Sequence, residues 1–398
     1  MASTSREIIL AGSPEGPITA YDAFTGTILA QFSGVRSLPK GITIVGQSFI
    51  AASHISAATA SGSICLYNWW SSAAFHHIHT PEPVAPLAAS SDGSYLFSGG
   101  LSGHIHALSI PSGDLLRSLP AHHKPVSCLA INDDSSLLIS GGDDGSITVF
   151  PILQMLDTSS SSDSVQFLPL YQIQAHNSSV TSVTSGTGGC NSTIISSSLD
   201  CTCKFWSLAH GSHLRTVQFP TVIWCVAVDV TESEFYAGGA DGRVYMGIMK
   251  VGRRQVATDA MGVVAWSPEH GGAVLALSVA NQGLNLVSAS EDGSIRIWDV
   301  GTGSVVRGFG QERGSIIDLV VTKGLTSRVL GNDSVMLRDG SSSFSSKEIQ
   351  RPVKEIEEMQ EWLNVVVKDR RGAIDTLELA IGTYERLLGL FVNQAKGG

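Results

Sequence analysis

The segment SSLDCTCKFW, residues 197–206, contains a pattern that recurs along the chain. A short polar turn leads into a strand-like run, as it also does in DGSIRIW near the end of the sequence. Seven copies of this form are present: EGPITAY (15–21), SGSICLY (61–67), SGHIHAL (102–108), DGSITVF (144–150), DCTCKFW (200–206), DGRVYMG (241–247) and DGSIRIW (292–298). Their first residues lie 41 to 56 positions apart, so the pattern marks one unit of a long internal repeat.

Further short apolar runs flank each copy of the repeat. One example precedes the turn, LLISGGD (137–143); another follows a copy, GDLLRSLPAH (113–122); and a third, VSCLAI (126–131), opens the next unit. Each repeat therefore carries four short strands, and a period of about 40–45 residues is typical of one blade of a β-propeller. The sequence predicts an all-β fold with seven blades.

Composition agrees with a large globular protein. The 398 residues are 43% hydrophobic and 15% charged, which is far from the composition of disordered chains. No apolar run is long enough to span a bilayer and no signal-peptide pattern opens the chain, so we expect a soluble, intracellular protein without a membrane partner. A net charge of -10 argues against a broad nucleic-acid surface, although it leaves direct RNA contact open.

Two groups of residues resemble metal sites. Cys201 and Cys203, two of six cysteines, are separated by one residue and are expected on the same face of a strand. Zinc sites usually need four ligands with cysteines spaced by two to four residues, and no second pair exists, so structural roles are favoured. The run FHHIH (75–79) is interpreted as an exposed outer strand for the same reason. We expect reduced thiols, no metal and no cofactor.

Catalytic motifs are absent from the sequence. It contains no G-x-S-x-G elbow, no H-E-x-x-H and no P-loop lysine motif. Glycine-rich runs such as ISGGDDG (139–145) stand between two strands, whereas a phosphate-binding loop leads into a helix. The sequence therefore predicts no catalytic or cofactor-binding residues, and a protein that is not an enzyme.

The ends of the repeat region predict how the ring closes. REIILAG (6–12) precedes the first copy without an innermost strand of its own, and GSIIDLVVT (314–322) supplies one after the seventh copy. A weak further copy, NDSVMLR (332–338), leaves an eighth blade as the alternative. The predicted domains are a propeller at residues 1–338, a Ser-rich linker at 339–351 and a helix at 352–394.

The C-terminal segment has a heptad pattern instead of turn residues. Its predicted seam consists of Ile356, Met359, Leu363, Val366, Arg370, Ala373, Leu377, Ala380, Tyr384, Leu387 and Phe391. Every position except Arg370 is apolar or aromatic, which favours a coiled coil for self-association or for binding a partner helix. The alternative is a helix that packs on its own propeller, with a bend near Arg370 and Gly372.

The repeats resemble the WD-repeat family. In that family an Asp of the tight turn, a His before the innermost strand, a Ser of the second strand and a Trp that ends the third form a hydrogen-bonded tetrad. The matching residues are Asp200, His176, Ser196 and Trp206; Asp292, His270, Ser288 and Trp298; and Asp144, His122 and Ser140, with Phe150 in place of Trp. The other four repeats depart from the pattern, with Glu15, Ser61 and Ser102 at the Asp position and Gly247 at the Trp position.

Residues 197–249 resemble a narrower family. The S-S-L-D-x-T-x-K-x-W run, the following VAVD strand and the G-G-x-x-G turn are similar to the WD-repeat subunit of the rRNA-processing complex that matures the large ribosomal subunit precursor. The resemblance implies a non-catalytic scaffold in the nucleolus and nucleoplasm. It also implies helical-repeat partner subunits, a large AAA-type ATPase on the pre-ribosomal particle, and a homodimer through the C-terminal helix.

A second class of function remains open from the sequence. WD-repeat proteins also serve as substrate receptors of cullin-type ubiquitin ligases and as other protein-interaction adaptors. Such receptors often carry an Arg in a W-D-x-R motif, whereas the Trp-Asp of this chain reads WDVG (298–301). This difference favours the ribosome-assembly scaffold over the ligase receptor.

Overall fold

The described part of the chain folds as seven antiparallel sheets of four strands each. In this computed structural model the described residues are 7–34, 36–46, 49–55, 61–69, 71–156, 168–249, 262–310 and 314–323. Each sheet is one blade of a propeller, and its strands follow one another from the innermost to the outermost. The seven blades confirm the fold predicted from the repeats, while the segment proposed as an eighth blade and the C-terminal helix lie outside the described residues.

Blades 1 to 4 contain the first fifteen strands and the last one. The strands are β1 (Glu7–Gly12), β2 (Ile18–Asp22), β3 (Ile28–Phe32), β4 (Ile42–Val45), β5 (Phe49–Ile55), β6 (Gly62–Asn68), β7 (His76–His79), β8 (Val84–Ala89), β9 (Tyr95–Gly100), β10 (His104–Ser109), β11 (Leu115–Pro120), β12 (Val126–Ile131), β13 (Leu137–Gly142), β14 (Ser146–Pro151), β15 (Tyr171–Gln174) and β28 (Asp318–Lys323). A single helical turn, α1 (Ile152–Leu156), follows β14. Blade 1 is β28-β1-β2-β3, and blades 2, 3 and 4 begin with β4, β8 and β12.

Blades 5 to 7 contain the remaining strands. They are β16 (Val180–Ser185), β17 (Thr193–Ser198), β18 (Thr202–Ser207), β19 (His213–Gln218), β20 (Ile223–Val228), β21 (Glu234–Gly239), β22 (Val244–Ile248), β23 (Val263–Ala265), β24 (Val274–Ala280), β25 (Asn285–Ser290), β26 (Ser294–Asp299) and β27 (Ser304–Gly310). Short 3-10 turns lie at Gly189–Asn191 and Asn281–Gly283. Blades 5, 6 and 7 begin with β16, β20 and β24.

The ring closes within blade 1, where both ends of the described chain contribute strands. The last strand, β28, pairs antiparallel with the first, β1, in a register that joins Ile9 to Val321. Strand β28 is the innermost strand of this blade, as the sequence predicts. The closure therefore uses ordinary backbone ladder hydrogen bonds between segments that are more than three hundred residues apart.

The hydrophobic core lies between neighbouring blades. Phe205 of blade 5 stacks edge-on against Phe235 of blade 6, with ring centroids 5.0 Å apart. Tyr236 of blade 6 belongs to a cluster with Leu286 and Trp298 of blade 7. Because a single blade cannot bury both of its faces, each one depends on its neighbours. The middle strand β13 is buried on both faces, whereas the outermost strand β19 buries only Val217 and is mostly exposed.

Candidate functional site

A polar network built from four side chains crosses blade 5. His176 lies 3.0 Å from the Asp200 carboxylate through Nδ1 and 2.8 Å from the Ser196 hydroxyl through Nε2. The Trp206 indole N–H donates to the same hydroxyl over 3.0 Å. The Thr202 hydroxyl also donates to Asp200. The structure thus brings together the four residues that the spacing singled out, and each of them has a hydrogen-bond partner.

Blade 7 holds the same network with one difference in its geometry. His270 Nε2 lies 2.6 Å from the Ser288 hydroxyl, to which the Trp298 indole N–H also donates over 2.7 Å. His270 Nδ1, however, contacts the Ser294 hydroxyl at 2.8 Å and stands 3.9 Å from Asp292. Ser294 donates to Asp292, so a hydroxyl relays the contact that His and Asp make directly in blade 5.

Blade 4 has the network without its tryptophan. His122 contacts the Ser140 and Ser146 hydroxyls, each over 2.8 Å, and its Nδ1 lies 3.3 Å from Asp144. Ser146 donates to Asp144 as Ser294 does in blade 7. Phe150, 1% exposed, takes the position of Trp and fills the space without donating to the Ser140 hydroxyl.

Burial keeps the three tetrad histidines neutral near neutral pH. It lowers the pKa of His122, His176 and His270, in the last case to about 4, and the neighbouring aspartates only partly oppose this effect. For His176, a neutral ring that donates from Nδ1 to Asp200 accepts the Ser196 proton at Nε2. A neutral histidine therefore satisfies both of its neighbours in the network.

We predict that acid destabilises the propeller through these histidines. Because the pKa of His270 is about 4 in the folded chain and has its ordinary value of 6.5 in the unfolded chain, the unfolded chain binds more protons between these values, and stability is lost as the pH falls. The expected loss from His270 between pH 7.5 and 5 is about 2 kcal/mol. Urea unfolding across this range should show a smaller loss in His270→Gln. Equal pH slopes in the two proteins would contradict the assignment.

Blade 3 replaces the tetrad with a glutamate that the sequence did not reveal. The Glu82 carboxylate accepts the Ser102 hydroxyl over 2.6 Å and the Ser102 N–H over 2.8 Å, and it lies 3.0 Å from His106 Nε2. Ser102 stands at the turn position where other blades have Asp, so the carboxylate comes from the preceding loop instead. In the sequence, the only sign of this replacement is the TPEPV run (80–84), which precedes a repeat whose turn has Ser102 in place of Asp.

Blade 6 replaces the polar network with aromatic packing. Phe219 occupies the His position, four residues before the innermost strand, and its ring centroid lies 5.4 Å from that of Tyr245, whose hydroxyl donates to Asp241 over 2.7 Å. Gly247 stands at the Trp position because a Cβ there would lie only 2.4 Å from the fully buried Phe235 ring. The Phe235 ring thus fills the space that a tryptophan fills in blades 5 and 7.

The two cysteines of the SSLDCTCKFW segment have different roles, which corrects the prediction that they share one strand face. Cys201 lies in the turn before β18 with φ 62°, at the position where Gly145, Gly242 and Gly293 have φ between 77° and 80°. Cys203 lies in β18 and is completely buried. One cysteine therefore adopts a turn conformation that favours glycine, and the other is a small core side chain.

The remaining candidate ligands do not converge in the described ranges. His77 and His79 are exposed on β7, the outermost strand of blade 2, and His77 Nδ1 lies 3.1 Å from the Cys65 thiol. No group of three or more His, Cys, Asp or Glu side chains among the described residues is arranged to hold a metal. No described helix is long and apolar enough to cross a membrane. The predicted self-association residues, Ile356 to Phe391, lie outside the part of the chain that is described.

A ring of contacts between innermost strands is a further feature that the sequence did not predict. The Thr181 hydroxyl of blade 5 donates to the Ile223 carbonyl of blade 6 over 2.6 Å. Asp318 accepts the Ile42 N–H of blade 2 over 2.8 Å, across 276 residues of sequence. Burial raises the pKa of Asp318 to about 7, although the N–H groups of Ile42 and Leu319, which donate to its carboxyl oxygens, oppose the shift. The side chain of the closing strand therefore joins blade 1 to blade 2.

Comparison with protein families separates the blades that hold a His–Ser–Asp network from those that do not. The family model described as WD domain, G-beta repeat, matches residues 113–150, 167–207 and 264–299, which are the segments that hold the three His–Ser–Asp networks. A solved structure of a computationally designed protein, Ika8, superposes with a TM-score of 0.56 at 21% identity, covering 79% of this chain and 87% of that one. That likeness concerns the fold alone.

Relatives of known name extend the comparison beyond the fold. The chain is 37% identical to Protein ROOT INITIATION DEFECTIVE 3 of Arabidopsis thaliana over 73% of its own length and 66% of the relative's. It is 28% identical to WD repeat-containing protein 18 of Homo sapiens, over 74% and 67% of the two lengths. It is also 28% identical to the Pre-rRNA-processing protein IPI3 of Yarrowia lipolytica, over 69% and 66%. The matches span about two thirds of these relatives.

Proposed function

The chain belongs to the WD-repeat family that includes the pre-rRNA-processing proteins of fungi, and we propose that it is a non-catalytic scaffold subunit of a nuclear complex for pre-rRNA processing and large ribosomal subunit assembly. The observation that supports this proposal most is the similarity to relatives named for pre-rRNA processing over about 70% of the chain. A propeller adds rigid surfaces at both ends of the ring, which suits a protein that joins others.

The blades supply the physical reason for a binding role. The polar side chains that resemble a catalytic set, such as His176, Ser196 and Asp200, are held by one another inside a blade. Their hydrogen-bonding capacity is used to position the turn between the second and third strands, which leaves that turn presented in a fixed shape at the surface. The proposed partners are helical-repeat subunits and a large AAA-type ATPase on the pre-ribosomal particle.

A tagged chain purified from cells tests the proposal. We expect helical-repeat subunits, the ATPase and large-subunit precursors to co-purify with it. We also expect the tagged chain to localise to the nucleolus and nucleoplasm, and unprocessed pre-rRNA to accumulate when the chain is depleted from cells. The control is a tagged WD-repeat propeller of unrelated function. Recovery of a cullin adaptor without pre-ribosomal particles, together with normal pre-rRNA, would contradict it.

The C-terminal heptads are proposed to join two copies of the chain. Residues 353–393 would form a helix of about 60 Å at 1.5 Å per residue, and its seam would bury apolar side chains only against a second helix. We therefore expect the paired substitution Leu363→Glu and Leu387→Glu to convert a dimer into a folded monomer in light scattering. The control pair, Val365→Glu and Leu379→Glu, lies two residues after Leu363 and Leu377 and one before Val366 and Ala380, on the outer side of the predicted coiled coil, and should stay dimeric. A monomeric unmutated chain would contradict the dimer.

A further inference from the structure

A cavity opens between blades 5 and 6, beside the connection that joins them. It measures about 330 Å³, within the range of about 300–1,000 Å³ that is typical of ligand sites. Its walls are mainly apolar and consist of Phe219 and Pro220 of the connection, Tyr245 of β22, and Val263 and Ala265 of β23. Pro220 and Ala265 are exposed, so the cavity is accessible from solvent. Its size and lining suit one apolar side chain of a partner.

Blades 4 and 5 fill the corresponding space with a long polar side chain. In blade 4, Gln172 of the outermost strand pairs with Thr148, and its amide donates to the Ala121 carbonyl over 3.4 Å. In blade 5, the Lys204 ammonium donates to the Ala175 carbonyl over 2.6 Å. Both side chains therefore lie between a blade and the connection that precedes it.

Blade 6 has no such side chain at these positions. Ala265 pairs with Tyr245 in the register that Gln172 occupies in blade 4, but the alanine side chain ends at Cβ. The Tyr245 hydroxyl donates to Asp241 of the turn over 2.7 Å instead of to a carbonyl of the preceding connection. The cavity is therefore a consequence of the residues that distinguish blade 6 from the blades with a complete polar network.

The rim of the cavity carries an exposed ion pair. The Arg243 Nε atom lies 3.6 Å from the Asp241 carboxylate, and the two side chains are 43% and 34% exposed. An ion pair that is so open to water contributes little to stability. Asp241 can therefore exchange Arg243 for a cationic group of a ligand at low cost.

The charge of the surroundings favours a cation over an anion. The cavity lies at the end of the ring that carries the turns between second and third strands, where the described connecting segments hold nine acidic residues against four basic ones. From the turn of blade 5 to the turn of blade 7, the one basic residue in these segments is Arg243. The acidic residues there are Asp200, Asp241, Glu269, Glu291 and Asp292. This end of the ring attracts a basic segment and repels an acidic one.

We propose that the cavity binds a short basic segment of a protein partner, with one apolar side chain in the cavity and a neighbouring Lys or Arg paired with Asp241. Phe219 and Tyr245 supply the apolar contact, and Asp241 supplies a charge-assisted hydrogen bond. Arg243 competes with the ligand for the same carboxylate. The proposal names the chemistry of a partner for the scaffold and rests on the proposed function.

The first test fills the cavity. The probe is a hexapeptide, blocked at both ends, in which trifluoroleucine precedes a single arginine, and fluorine NMR follows its binding to the intact chain. Ala265→Gln gives blade 6 the side chain that blade 4 has at this position, and we expect it to weaken binding about tenfold or more. The matched control, Thr216→Gln, changes the residue that pairs with Lys204 on the other face of blade 5, and should weaken binding less than about twofold.

The second test changes the charges at the rim and keeps the cavity. Arg243→Gln removes the competing cation and should strengthen binding of the arginine probe about two- to fivefold. Asp241→Asn keeps an oxygen for the Tyr245 hydroxyl and should weaken binding of that probe about three- to fivefold. A probe with glutamine in place of arginine should bind the Asp241→Asn variant and the unmutated chain equally. This comparison decides the charge pair even where Ala265→Gln lowers the melting temperature.

Several results would overturn the proposal. Equal losses in Ala265→Gln and Thr216→Gln would show general attraction to an acidic surface. Tighter binding of a probe with glutamate in place of arginine would show that Arg243 is the recognised charge, and equal binding of the arginine and glutamine probes to the unmutated chain would show that no charge is recognised. Failure of the arginine probe to bind at millimolar concentration, while pre-ribosomal particles still co-purify with the tagged chain, would overturn the site and leave the proposed function standing.

Discussion

Replacing Trp298 with alanine is expected to lower the free energy of unfolding by about 3–5 kcal/mol. The indole is completely buried, donates to Ser288 and lies 5.3 Å from the Trp266 ring, so its loss removes a large packed group between blades 6 and 7. Urea unfolding of the purified chain measures the change. The loss is expected to be cooperative, because blade 7 shares its core with blade 6.

Two matched variants separate packing from hydrogen bonding at this position. Trp298→Phe imitates blade 4, where Phe150 is native, and should cost about 1–2 kcal/mol because it keeps most of the packing but loses the donor to Ser288. Trp224→Ala removes an indole that is 37% exposed and should cost less than about 1 kcal/mol. A loss below about 1 kcal/mol in Trp298→Ala would show that blade 7 does not depend on this network.

Asp318→Ala is expected to weaken the closure of the ring. The substitution leaves the buried N–H of Ile42 without its acceptor, at a cost of about 1–3 kcal/mol, and separates the innermost strands of blades 1 and 2. Hydrogen exchange should therefore increase first in β28 and β4, which hold these two residues. Unchanged protection in both strands would show that backbone pairing between β1 and β28 closes the ring alone.

Asp318→Asn serves as the control because it keeps an oxygen for Ile42. Burial raises the pKa of Asp318 to about 7 in the folded chain, above its ordinary value of 3.8. Its contribution to stability is therefore fully present below pH 3.8 and is lost as the pH rises from there through 7. The asparagine variant stays neutral, so it should match the unmutated chain below about pH 4, be the more stable of the two at pH 7, and lose this part of the pH dependence. The histidine effect has the opposite sign and stays in both proteins.

The parts of the site that could be predicted are those in which spacing repeats. A histidine four residues before Val180 and another before Val274 can be recognised because each blade uses the same local geometry. Glu82 could not be found in this way, because a carboxylate from a loop replaces one from a turn and leaves no repeated spacing. Phe219 was hidden for a similar reason, since an aromatic pair replaces hydrogen bonds in blade 6, and the sequence showed Gly247 at the Trp position without showing that the Phe235 ring requires it.

The sequence by itself determined the blades and their order. Each blade is made of neighbouring segments whose apolar runs and turn residues recur, so the seven copies, the four strands of each and the closing role of residues 314–322 follow from local pattern. Only the tertiary structure decided what meets at the centre of the ring. Asp318 and Ile42, which join the innermost strands of blades 1 and 2, are 276 residues apart, and Thr181 of blade 5 donates to the Ile223 carbonyl of blade 6. Such contacts depend on the curvature that seven packed blades impose, and no single segment of the chain carries that information.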